Sequence, residues 1–180
     1  MTYKYTYHTP KQFSNIIMNS DGEYLTGLWF ENSRDTSKHE LNCEEKEFPI
    51  FKETAKWLDI YFSGQNPGFT PKYKINNLTP FRIEVVNIMN TIEFGKLLTY
   101  KDISEIIAKN RKIEKMSSQA VWWAVGWNPI CIIIPCHRVV GANGNLTGYG
   151  GGISNKVELL KLEWIDMSKY FIPKRGTALW

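Results

Sequence analysis

Pro135-Cys136-His137-Arg138 sets a thiol beside an imidazole. A cysteine that attacks an electrophile needs thiolate character, and a neighbouring base is one way to supply it. Adjacency alone does not make the pair, since neighbours in an extended chain point to opposite faces. Taken by themselves, the two residues favour the plainer reading of a buried structural cysteine next to a satisfied core histidine. The chain that follows is unusually poor in side chains: Gly141-Ala142-Asn143-Gly144 reads as a turn, and Gly148-Tyr149-Gly150-Gly151-Gly152 as a second small-residue stretch. Such glycines cost backbone entropy, a cost that makes sense where main-chain N–H groups approach a flat ligand; the plainer reading is a linker. Against a linker, the stretch is short and leads into a patterned helix over 154–166, with Val157, Leu160 and Trp164 facing inward. Glu163 in that helix is either a solvated surface acid or the partner that orients His137.

The elements that must hold these groups follow from periodicity and punctuation. Tyr3, Tyr5 and Tyr7 alternate with polar residues as in a half-exposed strand. Residues 13–18 and 24–30 read as two more strands around the turn Asn19-Ser20-Asp21-Gly22. Residues 31–47 are charged and loop-like. Phe51, Ala55, Leu58 and Phe62 recur at helical spacing, which predicts a helix over about 49–63 ended near Gly64. The Pro- and Gly-bearing stretch 66–77 is the connection to a second, mainly helical part. There Thr79-Pro80 caps a helix with Phe81, Val85, Ile88 and Met89 as its buried stripe. Thr99 and Asp102 have capping-box spacing, opening a helix through about Lys109. Lys109, Arg111, Lys112 and Lys115 follow, then a short helix from Gln119 to about Gly126 capped by Ser117 or Ser118. That outline fits a helix-turn-helix, and equally a helical hairpin that binds nothing. Asn128-Pro129 is a turn, and Cys131 to Pro135 a buried extended run.

The expected fold is therefore α+β: a small N-terminal antiparallel sheet with a helix (1–75), joined to a mainly helical lobe containing a helix-turn-helix (76–180). Among 180 residues, 43% are hydrophobic and 14% aromatic, enough for a packed interior. Residues 1–70 carry 7 basic and 10 acidic side chains, whereas 71–180 carry 15 and 8, so a polyanion partner would suit the second part. No run reaches membrane-spanning length, and residues 1–18 lack the apolar core of a secretion signal. Three cysteines cannot all pair within the chain, which points to a reducing, cytoplasmic setting. Cys43, His8 and His39 make no compact ligand pattern, so no metal is expected.

The stretch from Thr79 to Glu163 resembles the methylated-DNA–protein-cysteine methyltransferases, also called O6-alkylguanine-DNA alkyltransferases. The resemblance lies in Thr-Pro-Phe at 79–81, Phe-Gly-Lys-x-x-Thr-Tyr at 94–100, Asn128-Pro129 and Ile-Pro-Cys-His-Arg-Val-Val at 134–140. It continues in Gly-Asn-Leu-Thr-Gly-Tyr at 144–149 and the Leu-Leu-x-Leu-Glu that ends at Glu163. It implies single-turnover repair of O6-alkylguanine (methyl, larger groups, and O4-alkylthymine) in double-stranded DNA, without a cofactor. Cys136 would accept the alkyl group, His137 would act as its base through a water, and Glu163 would fix the imidazole tautomer. Tyr149 would meet a guanine ring nitrogen and Gly150 N–H the O6 atom, while the carbonyls of Cys136 and Val139 accept from the exocyclic amine. Arg138 would brace the turn beneath. The lesion must leave the stack; Tyr100 would crowd the phosphate, Asn128 would act as a hinge, and Gln119 would fill the gap. Val125 and Cys131 would line the base pocket. Trp122 and Trp123 stand where the family commonly has two glycines, with Trp127 close by. Two indoles there should hold the helix away from the minor groove unless they insert, turn aside or pack on the protein. A monomer is expected, with exposed tryptophans as a route to self-association. A non-catalytic lesion-binding module and an engineered scaffold with impaired DNA binding are the alternatives.

Overall fold

The computed structural model describes residues 1–173. Two compact units emerge: Met1–Asn77 with Pro129–Ile133, and Leu78–Asn128 with the described residues from Ile134 on.

In the first unit, β1 (Tyr3–Tyr7), β2 (Ile16–Ser20) and β3 (Leu25–Phe30) form an antiparallel meander. Asp21 closes the second turn by accepting from the backbone N–H groups of Glu23 and Tyr24, and Gly22 supplies the left-handed φ of +103°. The sheet departs from the expected all-antiparallel form. A two-residue strand, β4 (Glu44–Glu45), pairs in parallel with β1, giving a mixed sheet ordered β3-β2-β1-β4. The charged stretch read as loop therefore holds a strand, and also a 3-10 turn over Arg34–Lys38. Charged side chains hid the strand because edge pairing uses only backbone groups and leaves both glutamates in solvent. α1 (Pro49–Phe62) buries Ile50, Phe51, Thr54, Trp57, Leu58 and Tyr61, and Gly64 follows its C-cap at φ +80°. Tyr5 stacks on Phe51, and Tyr7 on Phe62.

Pro129–Ile133 joins this unit through β3, with Leu28 N donating to Pro129 O at 3.0 Å and Cys131 N to Leu28 O at 2.9 Å. The expected extended run is instead turned: Ile132 has φ +67°, and Ile133 N donates to Cys131 O at 2.8 Å. An unbroken apolar run reports burial, which holds from Ile130 to Ile134, but not backbone shape.

In the second unit, Thr79 caps α2 (Pro80–Met89), accepting from Arg82 N. The helix buries Val85, Val86 and Met89, leaving Phe81 and Ile88 only half-buried, so its stripe is shifted from the one expected. β5 (Leu98–Thr99) leads directly into α3 (Tyr100–Arg111), whose Thr99–Asp102 capping box is complete. Lys112, at φ +54°, ends α3, and Ser117 caps α4 (Ser118–Gly126). The two helices meet at Ser104 and Ser118, whose hydroxyls lie 3.1 Å apart, forming a helix-turn-helix. β6 (Val139–Val140) runs parallel to β5.

α5 (Ile153–Leu162) stops four residues before the expected end. Trp164 N donates to Lys161 O and Ile165 N to Leu160 O, the paired bonds of a Schellman stop. Trp164 takes the left-handed position at φ +62° and is 81% exposed, not inward-facing. Ile165 packs instead on the Val140–Leu146–Leu160 cluster. That stop usually carries glycine, so a tryptophan there conceals it. Among the described residues, no helix is long and apolar enough to cross a membrane.

Candidate active site

Cys136, His137 and Arg138 occupy one turn of 3-10 helix immediately before β6, so the three side chains fan out rather than alternate. Cys136 N donates to Ile134 O at 2.7 Å. Asn128, just beyond α4, uses one amide nitrogen for two bonds: 3.0 Å to Ile134 O and 3.1 Å to Cys136 Sγ. It thus ties the recognition helix's end to the cysteine turn and places a donor on sulfur. Donation to sulfur favours the thiolate over the thiol.

His137 and Glu163 are both buried, with Nε2 and Oε1 2.7 Å apart. Arg138 contacts the same carboxylate, Nε at 3.1 and 2.9 Å from its two oxygens and Nη2 at 3.0 Å from Oε1. Its Nη1 donates to Ile92 O at 2.6 Å, and Gly95 N adds a 3.0 Å bond to Glu163 Oε2. Burial alone would raise the Glu163 carboxyl, but His137 and Arg138 outweigh it and hold the group well below the usual range. Burial lowers His137 from its ordinary 6.5; Glu163 opposes this, while Arg138 and Lys156 reinforce it. With burial, reinforced by Arg138 and Lys156, outweighing the pull of Glu163, the imidazole stays neutral, donates from Nε2 and keeps its lone pair on Nδ1. A neutral base held in one tautomer can take a thiol proton.

Tyr149 and Val139 come together through a residue the sequence did not disclose. Lys156 is fully buried on α5, donating from Nζ to Val139 O at 2.7 Å and Thr147 O at 3.3 Å, with Nζ 6.0 Å from the centre of the Tyr149 ring. Burial pulls its ammonium down to about 8, and Cys136 opposes that shift. One of the two Val139 carbonyl lone pairs is therefore already engaged. A lysine on the inward face of α5, one turn before Leu160, was the available signal. Tyr100 Oη also donates to Thr147 O, at 3.4 Å, and burial, then Cys136, raises its phenol. Gly150 lies in the turn following Tyr149.

The remaining expected residues are dispersed. Gln119 and Trp123 are exposed on α4, Trp123 at 66%, whereas Val125 is buried on the opposite face. Trp122 is half-buried, edge-on to Trp123 with ring centres 4.7 Å apart. Trp127 lies under the Arg82 guanidinium at 4.1 Å. Of the three tryptophans, Trp123 is the most open to solvent. Cys131 is buried in the first unit, on β3. Of the basic turn, Arg111 is paired with Glu84 at 2.9 Å, while Lys109, Lys112 and Lys115 are exposed.

Residues 80–165 match the family model described as "6-O-methylguanine DNA methyltransferase, DNA binding domain". Over 161 residues the chain is 34% identical to the methylated-DNA–protein-cysteine methyltransferase of Haemophilus influenzae, covering 89% of this chain and 86% of that protein. It is 42% identical to the Methanosarcina acetivorans protein of the same name over 120 residues, 67% of this chain and 72% of that one. Among solved structures, Mycobacterium tuberculosis OGT in complex with DNA superposes with a TM-score of 0.74 at 30% identity, over 93% of this chain and 94% of that one. The site geometry and these likenesses converge: the chain belongs to the methylated-DNA–protein-cysteine methyltransferase family.

Proposed function

We propose that the chain repairs DNA by moving the alkyl group of an O6-alkylguanine onto Cys136, once per molecule. The observation that carries this reading is a pair of buried hydrogen-bonded sets meeting in one 3-10 turn: Asn128 donating to the Cys136 sulfur, and His137–Glu163–Arg138 from the next two residues. His137 takes the thiol proton at Nδ1 through a bridging water, and the thiolate attacks the alkyl carbon. As the S–C bond forms, the C–O6 bond breaks and its electron pair passes to O6 and the ring. Tyr149 delivers a proton to the departing base, and the Gly150 N–H meets the charge growing on O6. The Cys136 and Val139 carbonyls select the exocyclic amine. Arg138 acts only by fixing Glu163. The thioether has no route back to a thiol, so the reaction is stoichiometric and calls for no cofactor.

Duplex DNA is the natural partner, because α3 and α4 form a helix-turn-helix and a relative of similar fold is solved with DNA. Gln119 and Trp123 face the helix, Tyr100 sits at the start of α3 to crowd the phosphate, and the lesion is turned out to reach Cys136. Val125 lines the base pocket. The free thiols of Cys43, Cys131 and Cys136 suit a reducing, cytoplasmic setting. Peptide mapping after reaction with the free base O6-benzylguanine tests the acceptor assignment. Benzyl on Cys136 alone supports it; benzyl on Cys131 or Cys43, or on none, overturns it.

A further inference from the structure

Trp122 is turned towards the protein, onto the loop that carries Tyr149. A Cβ placed on Gly148 would lie 2.7 Å from the indole Nε1 and 3.1 Å from Cε2 and Cζ2. The indole therefore lies directly on the Gly148 backbone, at the position before Tyr149. Gly148 also has φ +45°, a region that side-chain-bearing residues enter at a cost. On either side of this contact the loop is already pinned. Thr147 O accepts from Tyr100 and Lys156, and Gly151 O accepts from Asn155 at 2.7 Å. Gly152 N closes the turn onto Tyr149 O at 2.9 Å. Between those pins, Gly148 carries no side chain of its own to fix it, and Trp122 covers it.

We infer that Trp122 is a positioning residue: its indole, packed on Gly148, sets the pose of Tyr149 and Gly150 and makes the recognition helix and the substrate loop one mechanical piece. Trp123, edge-on to Trp122, is left as the indole that faces outward. The bulk at position 122 is thus matched by the absence of bulk at 148. The two positions form a complementary pair, and Trp122 works on the reacting groups whether or not DNA is present. The inference rests on the alkyl-transfer reading above.

The test separates loop positioning from DNA docking by using a substrate that needs no docking. Single-turnover rates are measured for wild type, Trp122→Ala and Trp122→Phe with free O6-benzylguanine and with duplex O6-methylguanine. Trp122→Ala should slow the free-base reaction by roughly tenfold, the scale of loss when a reacting group is displaced by a fraction of an ångström. Trp122→Phe should recover most of the rate. A loss confined to duplex, or no loss with either substrate, overturns the inference. Gly148→Ala gives an independent arm in case Trp122→Ala fails to fold: its rate penalty should shrink when Trp122→Phe frees space, and an unchanged penalty contradicts the contact. Absence of any Cys136 labelling in the wild type would instead reject the alkyl-transfer reading itself.

Discussion

His137 Nε2 lies 2.7 Å from Glu163 Oε1, with neither side chain reaching solvent. A buried imidazole–carboxylate contact of this kind would ordinarily draw a proton onto the histidine. Here burial, with Arg138 supplying a counter-charge beside the carboxylate, outweighs that pull, so the carboxylate orients the ring without charging it. The His137 tautomer and the buried ion pair with Arg138 both depend on Glu163.

Replacing Glu163 by glutamine should therefore damage both. It leaves the Arg138 guanidinium buried without its counter-ion, a loss of about 3–5 kcal/mol in such settings. It also lets the amide offer His137 either a donor or an acceptor, which releases the tautomer. Urea denaturation and Cys136 labelling, run on the same sample, should both fall. Full labelling with full stability would show that Glu163 does neither job.

The acid limb follows from the His137 shift. Its folded value lies below the ordinary 6.5, so between the two the unfolded chain binds a proton that the native state does not. Stability should thus decline as pH falls below about 6.5, the ordinary histidine value. Glu163 adds a loss in the same direction below its ordinary 4.5, where the unfolded carboxylate protonates first. The free-base alkylation rate, needing neutral His137, should show no loss centred at 6.5 and should fall only at lower pH. A titration midpoint at or above 6.5 for His137, read by NMR, would contradict this.

Lys156 governs the alkaline side. Its folded value of about 8 lies below the ordinary 10.5, so in that window the unfolded chain again holds the extra proton and stability should rise with pH. Lys156→Met should abolish that rise while removing the donor to Val139 O and Thr147 O. The comparison to make is denaturation of both proteins at pH 7 and pH 10. Identical pH dependence would place the ammonium elsewhere.

Trp123 is expected to matter to DNA and not to folding. Its ring is 66% exposed, and surface changes of this kind shift stability within about 0.5 kcal/mol. Stacking of an aromatic ring on a base contributes about 1–3 kcal/mol. Trp123→Ala should weaken duplex binding accordingly while leaving the free-base reaction intact. If the change instead abolishes concentration-dependent size in sedimentation and spares DNA affinity, the ring serves self-association.

The sequence disclosed what depends on local chemistry. The Thr99–Asp102 box, the Thr79-Pro80 opening and a serine cap at 117 or 118 are short-range hydrogen-bond patterns; the first two stand in the structure, and the cap is Ser117. The His137–Glu163 contact was open at the level of residues alone, because it spans 26 positions and depends on where α5 stops. That stop was itself hidden, since Trp164 holds a left-handed position normally given to glycine. Strand β4 was hidden because its two exposed glutamates carry none of the apolar alternation that marks a strand, and its pairing with β1 is long-range. The burial of Lys156, and the inward turn of Trp122 among the three placements open to it, depend on the partners that cover them.

The most direct test of the central claim is the intact mass of the protein, with peptide mapping, after incubation with excess duplex containing O6-methylguanine. One added methyl group, located on Cys136 and absent from a Cys136→Ser variant, is the predicted result. An unmodified wild-type protein, or a methyl group on another residue, would contradict it.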